Sequence, residues 1–402
     1  MSGRDPHERG RTATTLELLY DLSFVVAIGQ AANQFAHLIA EGHWSAAIGG
    51  FLLAMFAVLW AWVNFSWFAS AFDTDDWAYR LSTMVQMVGV TVLGLGLPRM
   101  FHSIDAGHGI DARVMVSGYV VMRGAMVFQW IRAARQSPAC RRACLAYAKV
   151  IVLAQLGWVA FAFVPLPWTP TLILMVVLLL AEITGPWLAE TRHGGTPWHA
   201  HHMAERYGLL AIIALGEGVI GTVASLSAVV EAQGWTLDAA LVAVAGMGLT
   251  FGMWWCYFLL PAGEILHVRR SRAFFWGYGN LPVLAAIAAT GAGLHVAASF
   301  IEHASHLGPV STVLALAIPV AVYLAGIYAL YAGLFEHVDA FHALLLVLTA
   351  IVVAAGPILA AAGVSMAVCL LVVMMAPAVS VIGYEVHGHR RVAEALQRTL
   401  RP

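Results

Sequence analysis

The chain has 402 residues, 61% hydrophobic and 11% charged, with a formal net charge of −1. Soluble domains carry about 25% charged residues, so the composition excludes an ordinary soluble enzyme and, with no excess of positive charge, a nucleic-acid partner. The four cysteines, Cys140, Cys144, Cys256 and Cys369, form no CxxC pair and no zinc spacing.

Residues 1–16 read as a polar tail without an apolar stretch or cleavage site, so the first span must itself direct insertion. A bilayer core of about 30 Å needs roughly 20 apolar residues per helix. On that rule twelve spans are predicted: 17–39, 44–70, 78–98, 112–134, 142–164, 169–189, 204–230, 237–260, 273–299, 309–335, 341–361 and 364–385. Punctuation falls at Glu41-Gly42, at Asp73-Thr74-Asp75-Asp76, at Pro98, at Pro165-Leu166-Pro167, at Gly194-Gly195 and at Gly308-Pro309. The fold class is an all-α polytopic membrane protein.

Positive charge sets the orientation. Arg4, Arg9 and Arg11 precede the first span, and Arg132, Arg135, Arg141 and Arg142 flank the fourth loop. Arg192 and Arg206 flank the sixth loop, while Arg269, Arg270 and Arg272 fill the eighth. Arg390, Arg391, Arg398 and Arg401 follow the last span, and the opposite loops hold only Arg99 and Arg113. Both termini are therefore expected in the cytoplasm.

The first span recurs. Tyr20-Asp21-Leu22-Ser23-Phe24-Val25-Val26-Ala27-Ile28-Gly29-Gln30 aligns with Tyr207-Gly208-Leu209-Leu210-Ala211-Ile212-Ile213-Ala214-Leu215-Gly216-Glu217. One helix later come Trp60, Trp62 and Phe65 in one copy and Trp254, Trp255 and Tyr257 in the other. This order suggests two parallel six-helix repeats, 17–195 and 196–388, with a basic tail at 389–402. Internal symmetry of this kind is common in transporters, which bind substrate near the midplane.

Three stretches, ELLYDLSFVVAI, FDTDDWAYR and HHMAERYGLLAIIALGE, resemble the bacterial low-temperature-requirement A family. The resemblance covers nearly the whole chain and implies a multi-pass protein of the bacterial inner membrane. It brings little biochemistry, because that family is named for a cold-growth phenotype. The functional reading must come from the residues.

Ionisable groups at membrane depth are costly and are functional candidates by default. Gln30 and Glu217 each lie 13 residues into their predicted spans, Arg123 lies 11 in, and Glu182 lies 13 in. At 1.5 Å per residue all four fall roughly 16–20 Å from their entry face. A central cluster of Arg123, Glu182 and Glu217 is expected, with Gln30 at the place equivalent to Glu217. One arginine neutralises one carboxylate; the other is left to bind a proton or a cation. The alternative is a static interhelical salt bridge. On the first span Ser23, Ala27, Gln30, Gln34 and His37 share a face. Such a stripe suits either a close helix contact or the wall of a wet path.

Glu17 and Asp21 are four apart and share another face. Two roles are open: capping the helix N-terminus, or pairing with Arg80 or Arg206 as a cytoplasmic gate or lock. His202 and Glu205 are three apart, in a histidine-rich stretch, and could face one metal; alternatively Glu205 and Arg206 close against the first span. Asp73, Asp75 and Asp76 resemble part of a calcium loop but lack its glycine and its acidic twelfth position. They read as loop and helix-cap residues.

Three function classes follow. The preferred one is a proton- or ion-coupled transporter or permease of an unknown small molecule or ion, using Gln30, Arg123, Glu182, Glu217, Gln34 and His37. The second is a non-catalytic structural or sensory membrane protein needed for growth in the cold. The third is a membrane-embedded metal-dependent enzyme built on His202, Glu205 and the acidic triplet. No cofactor is expected, and the lipid bilayer is the one partner that the composition specifies.

Overall fold

The computed structural model describes residues 1–8, 10–336 and 340–400, the side chain of Leu400 excepted. Arg9 and Arg401, counted above among the orienting charges, lie outside the described residues. Among the described residues all regular structure is helical, and twelve helices are long and apolar enough to cross a membrane. Helices satisfy their own backbone groups, which a span in lipid requires.

The helices are α1 (Thr15–Ala40), α2 (Trp44–Phe72), α3 (Trp77–Asp105), α4 (Arg113–Gln136), α5 (Arg141–Phe163), α6 (Trp168–Arg192) and α7 (Ala200–Gln233). They continue with α8 (Leu237–Phe258), the short α9 (Ala262–Val268), α10 (Ala273–Ile301), α11 (Pro309–Phe335), α12 (Ala340–Ala361), α13 (Met366–Gly383) and α14 (His389–Leu400).

Two boundaries depart from expectation. Pro98 does not end its helix: α3 runs through it to Asp105. In a membrane helix a proline is tolerated where neighbouring groups re-satisfy the freed carbonyl, and Pro186, Pro282, Pro319, Pro357 and Pro377 likewise sit inside helices. The stretch read as a basic tail holds a helix, α14. Its Val392 and Thr399, seven apart and thus on one face, are buried while Arg391, Glu394 and Arg398 are exposed. Sparse apolar residues among many charges hid that face.

The chain forms two compact units, and α1, α2 and α7 each contribute to both. The first comprises residues 1–31 and 53–206. In it α3 packs along α4, α4 along α5 and α5 along α6. Gly89 and Gly118 let α3 and α4 approach: a Cβ on Gly118 would lie 2.5 Å from the Gly89 carbonyl oxygen. Small residues at such crossings are the usual device for close packing in lipid. An aromatic core runs through the unit. Tyr20 packs on Phe65 with ring centroids 3.8 Å apart, and Trp130 stacks on Tyr147 at 4.1 Å.

The second unit comprises residues 32–52 and 207–402. There α10 packs on α11, α11 on α12, α12 on α13 and α13 on α8. α7 and α10 cross at Gly221 and Gly291, where a Cβ on Gly221 would meet the Gly291 carbonyl at 2.5 Å. α14 lies against α9 and α11, and its Val392 closes an apolar cavity also lined by Tyr328, Tyr331, His342 and Ser380.

Candidate functional site

Two buried charge clusters stand in the first unit. The first joins the N-terminal ends of α1 and α7. Residues four apart lie on one helix face. α1 therefore presents Glu17 and Asp21 together, and α7 presents His202 and Arg206 together. The two pairs meet. Arg206 Nη1 donates to Glu17 Oε1 at 2.6 Å and Arg206 Nη2 donates to Asp21 Oδ1 at 2.5 Å. His202 Nε2 lies 3.2 Å from Glu17 Oε2. All four side chains are 0% exposed.

Other residues hold this cluster in place. Thr14 and Glu17 form a reciprocal cap: the Thr14 amide donates to Glu17 Oε2 at 2.8 Å, and the Glu17 amide donates to Thr14 Oγ1 at 3.2 Å. Glu17 thus caps α1 and binds Arg206 at once. Trp62 on α2 donates its indole N–H to Asp21 Oδ1 at 2.7 Å, and the Arg206 guanidinium lies 5.5 Å from the Trp62 ring centroid. Asp21 Oδ2, His202 Nδ1 and Arg206 Nε are buried without a hydrogen-bond partner among the described residues.

Of the two arginines expected opposite the acids, Arg206 is the one that lies there. Arg80 binds Asp75 at 2.7 Å, with 61% of its side chain exposed. Glu205 accepts from the Ala13 amide at 3.2 Å, while its neighbour His202 turns to Glu17. Among the described residues no group of three His, Cys, Asp or Glu side chains is placed to share a metal ion.

The acidic triplet does local work. Asp76 caps α3, accepting from the Ala78 and Tyr79 amides, and receives Arg132 at 2.9 and 2.5 Å. Arg132 holds the Asp76 carboxyl well below the ordinary carboxylate range. Burial pushes Asp73 the other way, and the nearby Glu17 charge adds to the rise. Arg4 lies 3.6 Å from Asp73, and Arg11 donates to the carbonyls of Ala69 and Ser70.

The second cluster lies at mid-span. Arg123 Nη2 donates to Glu182 Oε2 at 2.6 Å, and the two side chains are 2% and 1% exposed. Trp60 Nε1 reaches the same oxygen at 2.9 Å. Tyr119 Oη and Gln155 Nε2 reach Glu182 Oε1 at 3.2 and 3.4 Å. Four donors from α2, α4 and α5 therefore converge on one carboxylate of α6. Trp60 and Trp62 serve different clusters because residues two apart on a helix point about 200° apart. Among the described residues Arg123 Nε and Nη1 and Gln155 Oε1 have no hydrogen-bond partner. The Arg123 guanidinium lies 5.5 Å from the Tyr119 ring centroid.

Sequence reasoning singled out Arg123 and Glu182 by depth but missed Tyr119 and Gln155, and read Trp60 and Trp62 as repeat markers. The available signal was that a buried indole N–H or phenol O–H needs an acceptor. It also missed a buried polar chain: Tyr20 Oη donates to Gln86, Gln86 to Gln129, and Gln129 to Ser82 at 2.6 Å.

Glu217 belongs to the second unit. It is 4% exposed, and among the described residues it has no hydrogen-bond or ion-pair partner. Arg123 and Glu182 pair within the first unit, and among the described residues Glu217 has no counter-charge within the second. Gly291 of α10 packs on the Glu217 backbone: a Cβ there would lie 2.6 Å from the Glu217 carbonyl carbon. On α1, Gln30 and Gln34 are half-buried and His37 is exposed.

Twelve apolar helices carrying buried ion pairs define a polytopic helical membrane protein. The chain belongs to the family described as bacterial low temperature requirement A protein (LtrA), whose model matches residues 12–377. That span takes in both charge clusters and Glu217. The chain is also similar to the uncharacterized protein RA0937 of Rhizobium meliloti (strain 1021), 26% identical over 297 residues that cover 69% of this chain and 67% of that one. No solved structure matches it.

Proposed function

We propose that this chain is a proton- or ion-coupled transporter or permease of the bacterial inner membrane, with Glu217 as the group that takes up and gives up the coupling proton or ion. The observation that carries the reading is the isolation of Glu217: a buried residue at mid-span without a counter-charge among the described residues. A group so placed exchanges a proton or holds a cation more readily than one already paired. Arg123 is assigned to the substrate, because among the described residues Nε and Nη1 are donors without acceptors. Glu182 fixes the guanidinium. Gln30, Gln34 and His37 are assigned to the wall of the path. Glu17, Asp21, Glu205 and Arg206 form the lock at the cytoplasmic end, and Arg80 is left out of it.

Two parallel repeats, 17–195 and 196–388, belong to the same proposal. Support comes from within each unit. Tyr20 of α1 donates to Gln86 of α3 at 3.4 Å, and Tyr207 of α7 donates to the Gly277 carbonyl of α10 at 3.3 Å. In each predicted repeat, the tyrosine of the first span reaches the third. The cytoplasmic placement of both termini rests on the arginine distribution.

A second reading has one observation in its favour. Glu182 accepts from four donors, which suits a static strut of a structural or sensory protein. Proteoliposomes loaded with a pH-sensitive dye separate the two. Small solutes offered outside are expected to drive proton movement in the native protein and none in a folded Glu217→Gln variant. Proton movement undiminished in that variant overturns the reading.

A further inference from the structure

The cluster at the start of α1 and α7 holds more negative charge than positive. Glu17 and Asp21 face one guanidinium, Arg206, and all are fully buried. The charged groups around them do not correct the balance. Arg4 and Arg11 from the N-terminal segment stand with Glu8 and with Asp73 from the end of α2, two of each sign. Tyr20 of α1 and Tyr79 of α3 are buried beside the cluster, and Glu205, half-buried on α7, adds no positive charge. A buried charge without a partner is costly enough that the group neutralises instead.

The hydrogen bonds say which group does so. Both oxygens of Glu17 are engaged: Oε1 by Arg206, and Oε2 by the Thr14 amide, the Thr14 hydroxyl and His202. Asp21 is lopsided. Oδ1 takes both Arg206 and Trp62, while Oδ2 is buried with no partner among the described residues. A proton on Oδ2 leaves Oδ1 free to accept both donors. A metal cation needs several oxygen ligands, and here one oxygen is free. A cationic His202 would also balance the charge. It would set a second positive group beside Arg206 and leave an ionised Asp21 with a bare buried oxygen. An unmade hydrogen bond costs less than a buried unpaired charge.

We infer that Asp21 is an exchangeable proton-binding site, held as a neutral carboxylic acid while the junction of α1, α2 and α7 is closed. Loss of the proton leaves one uncompensated negative charge, which draws water between Glu17–Asp21 and His202–Arg206 and loosens the latch. The inference deepens one part of the proposed function, the lock that includes Asp21, and requires neither Glu217 nor any substrate.

The test uses the full chain in lipid nanodiscs with aspartate side-chain carboxyls labelled with ¹³C. Infrared difference spectra between neutral and alkaline buffer are expected to show a protonated-carboxyl band that shifts with the label and disappears at alkaline pH. The band should be lost in Asp21→Asn and kept in Asp73→Asn, whose carboxyl is also buried. If Asp21→Asn does not fold, Trp62→Phe serves: removing a donor to Oδ1 should move the labelled band. Three results overturn the inference: no labelled band at neutral pH, a labelled band that Asp73→Asn removes, or a ¹⁵N histidine spectrum showing a cationic His202 in the closed state.

Discussion

Trp62 and Arg206, from different helices, donate to the same oxygen of Asp21, at 2.7 and 2.5 Å. The indole is therefore a structural part of the charge cluster as well as a packing group. Trp62→Phe keeps the ring and removes the donor. It should destabilise the protein by about 1–3 kcal/mol, the usual range for a buried partner left unpaired, read as a lower unfolding temperature. No loss of stability would show that the hydrogen bond contributes nothing beyond packing.

Arg206 bridges two carboxylates through separate nitrogens. Arg206→Gln leaves Glu17 and Asp21 buried together without a cation, which should cost about 3–5 kcal/mol. Arg206→Lys should rescue poorly, because an ammonium lacks the planar fork that spans both acids. Thermal unfolding in detergent compares the three chains, and full rescue by lysine would contradict the bridging geometry.

Arg123 and Glu182 form a buried pair in which removing one partner strands the other. Each of Arg123→Leu and Glu182→Leu should cost about 3–5 kcal/mol, and the double variant should cost less than the sum of the two. A double-mutant cycle on unfolding free energy measures the coupling. Additive losses would mean the 2.6 Å contact carries no pairwise energy.

Asp76 and Asp73 should give opposite pH dependences. Arg132 depresses the Asp76 carboxyl in the folded state. Its contribution is therefore present above the unfolded value of about 3.9 and is lost as pH falls below it. Burial raises Asp73, so its contribution is complete at low pH and is lost as pH rises through the folded value. Asp76→Asn should flatten the acid limb of a stability–pH curve and Asp73→Asn the limb above it. Asp76→Ala, which also removes the α3 cap, should cost about 1 kcal/mol more.

The spans and the shared face of Glu17 and Asp21 were legible because they depend on local periodicity; Arg206 was one of two arginines offered to that face, and the packing selects it. Twenty apolar residues make a span wherever they occur, and residues four apart share a face in any helix. Trp60, Tyr119 and Gln155 around Glu182 were not legible. Which helix face meets which is a tertiary fact, and tryptophan, tyrosine and glutamine are ordinary residues in apolar helices. Pro98 did not end its span for a related reason: the rule that proline stops a helix holds for isolated helices and is relaxed in membrane helices. Glu217 was legible by depth alone, and its lack of a partner could be learned only from the packing.

Glu217 is the group proposed to exchange a proton or ion within the membrane. Proteoliposomes adsorbed on an electrical sensor test it without knowledge of the substrate. A rapid pH jump should produce a transient charge displacement in the native chain that is reduced in Asp21→Asn and largely lost in Glu217→Gln, where only the share of Asp21 remains. A displacement of full size in Glu217→Gln, with the protein correctly folded, would contradict that role for Glu217.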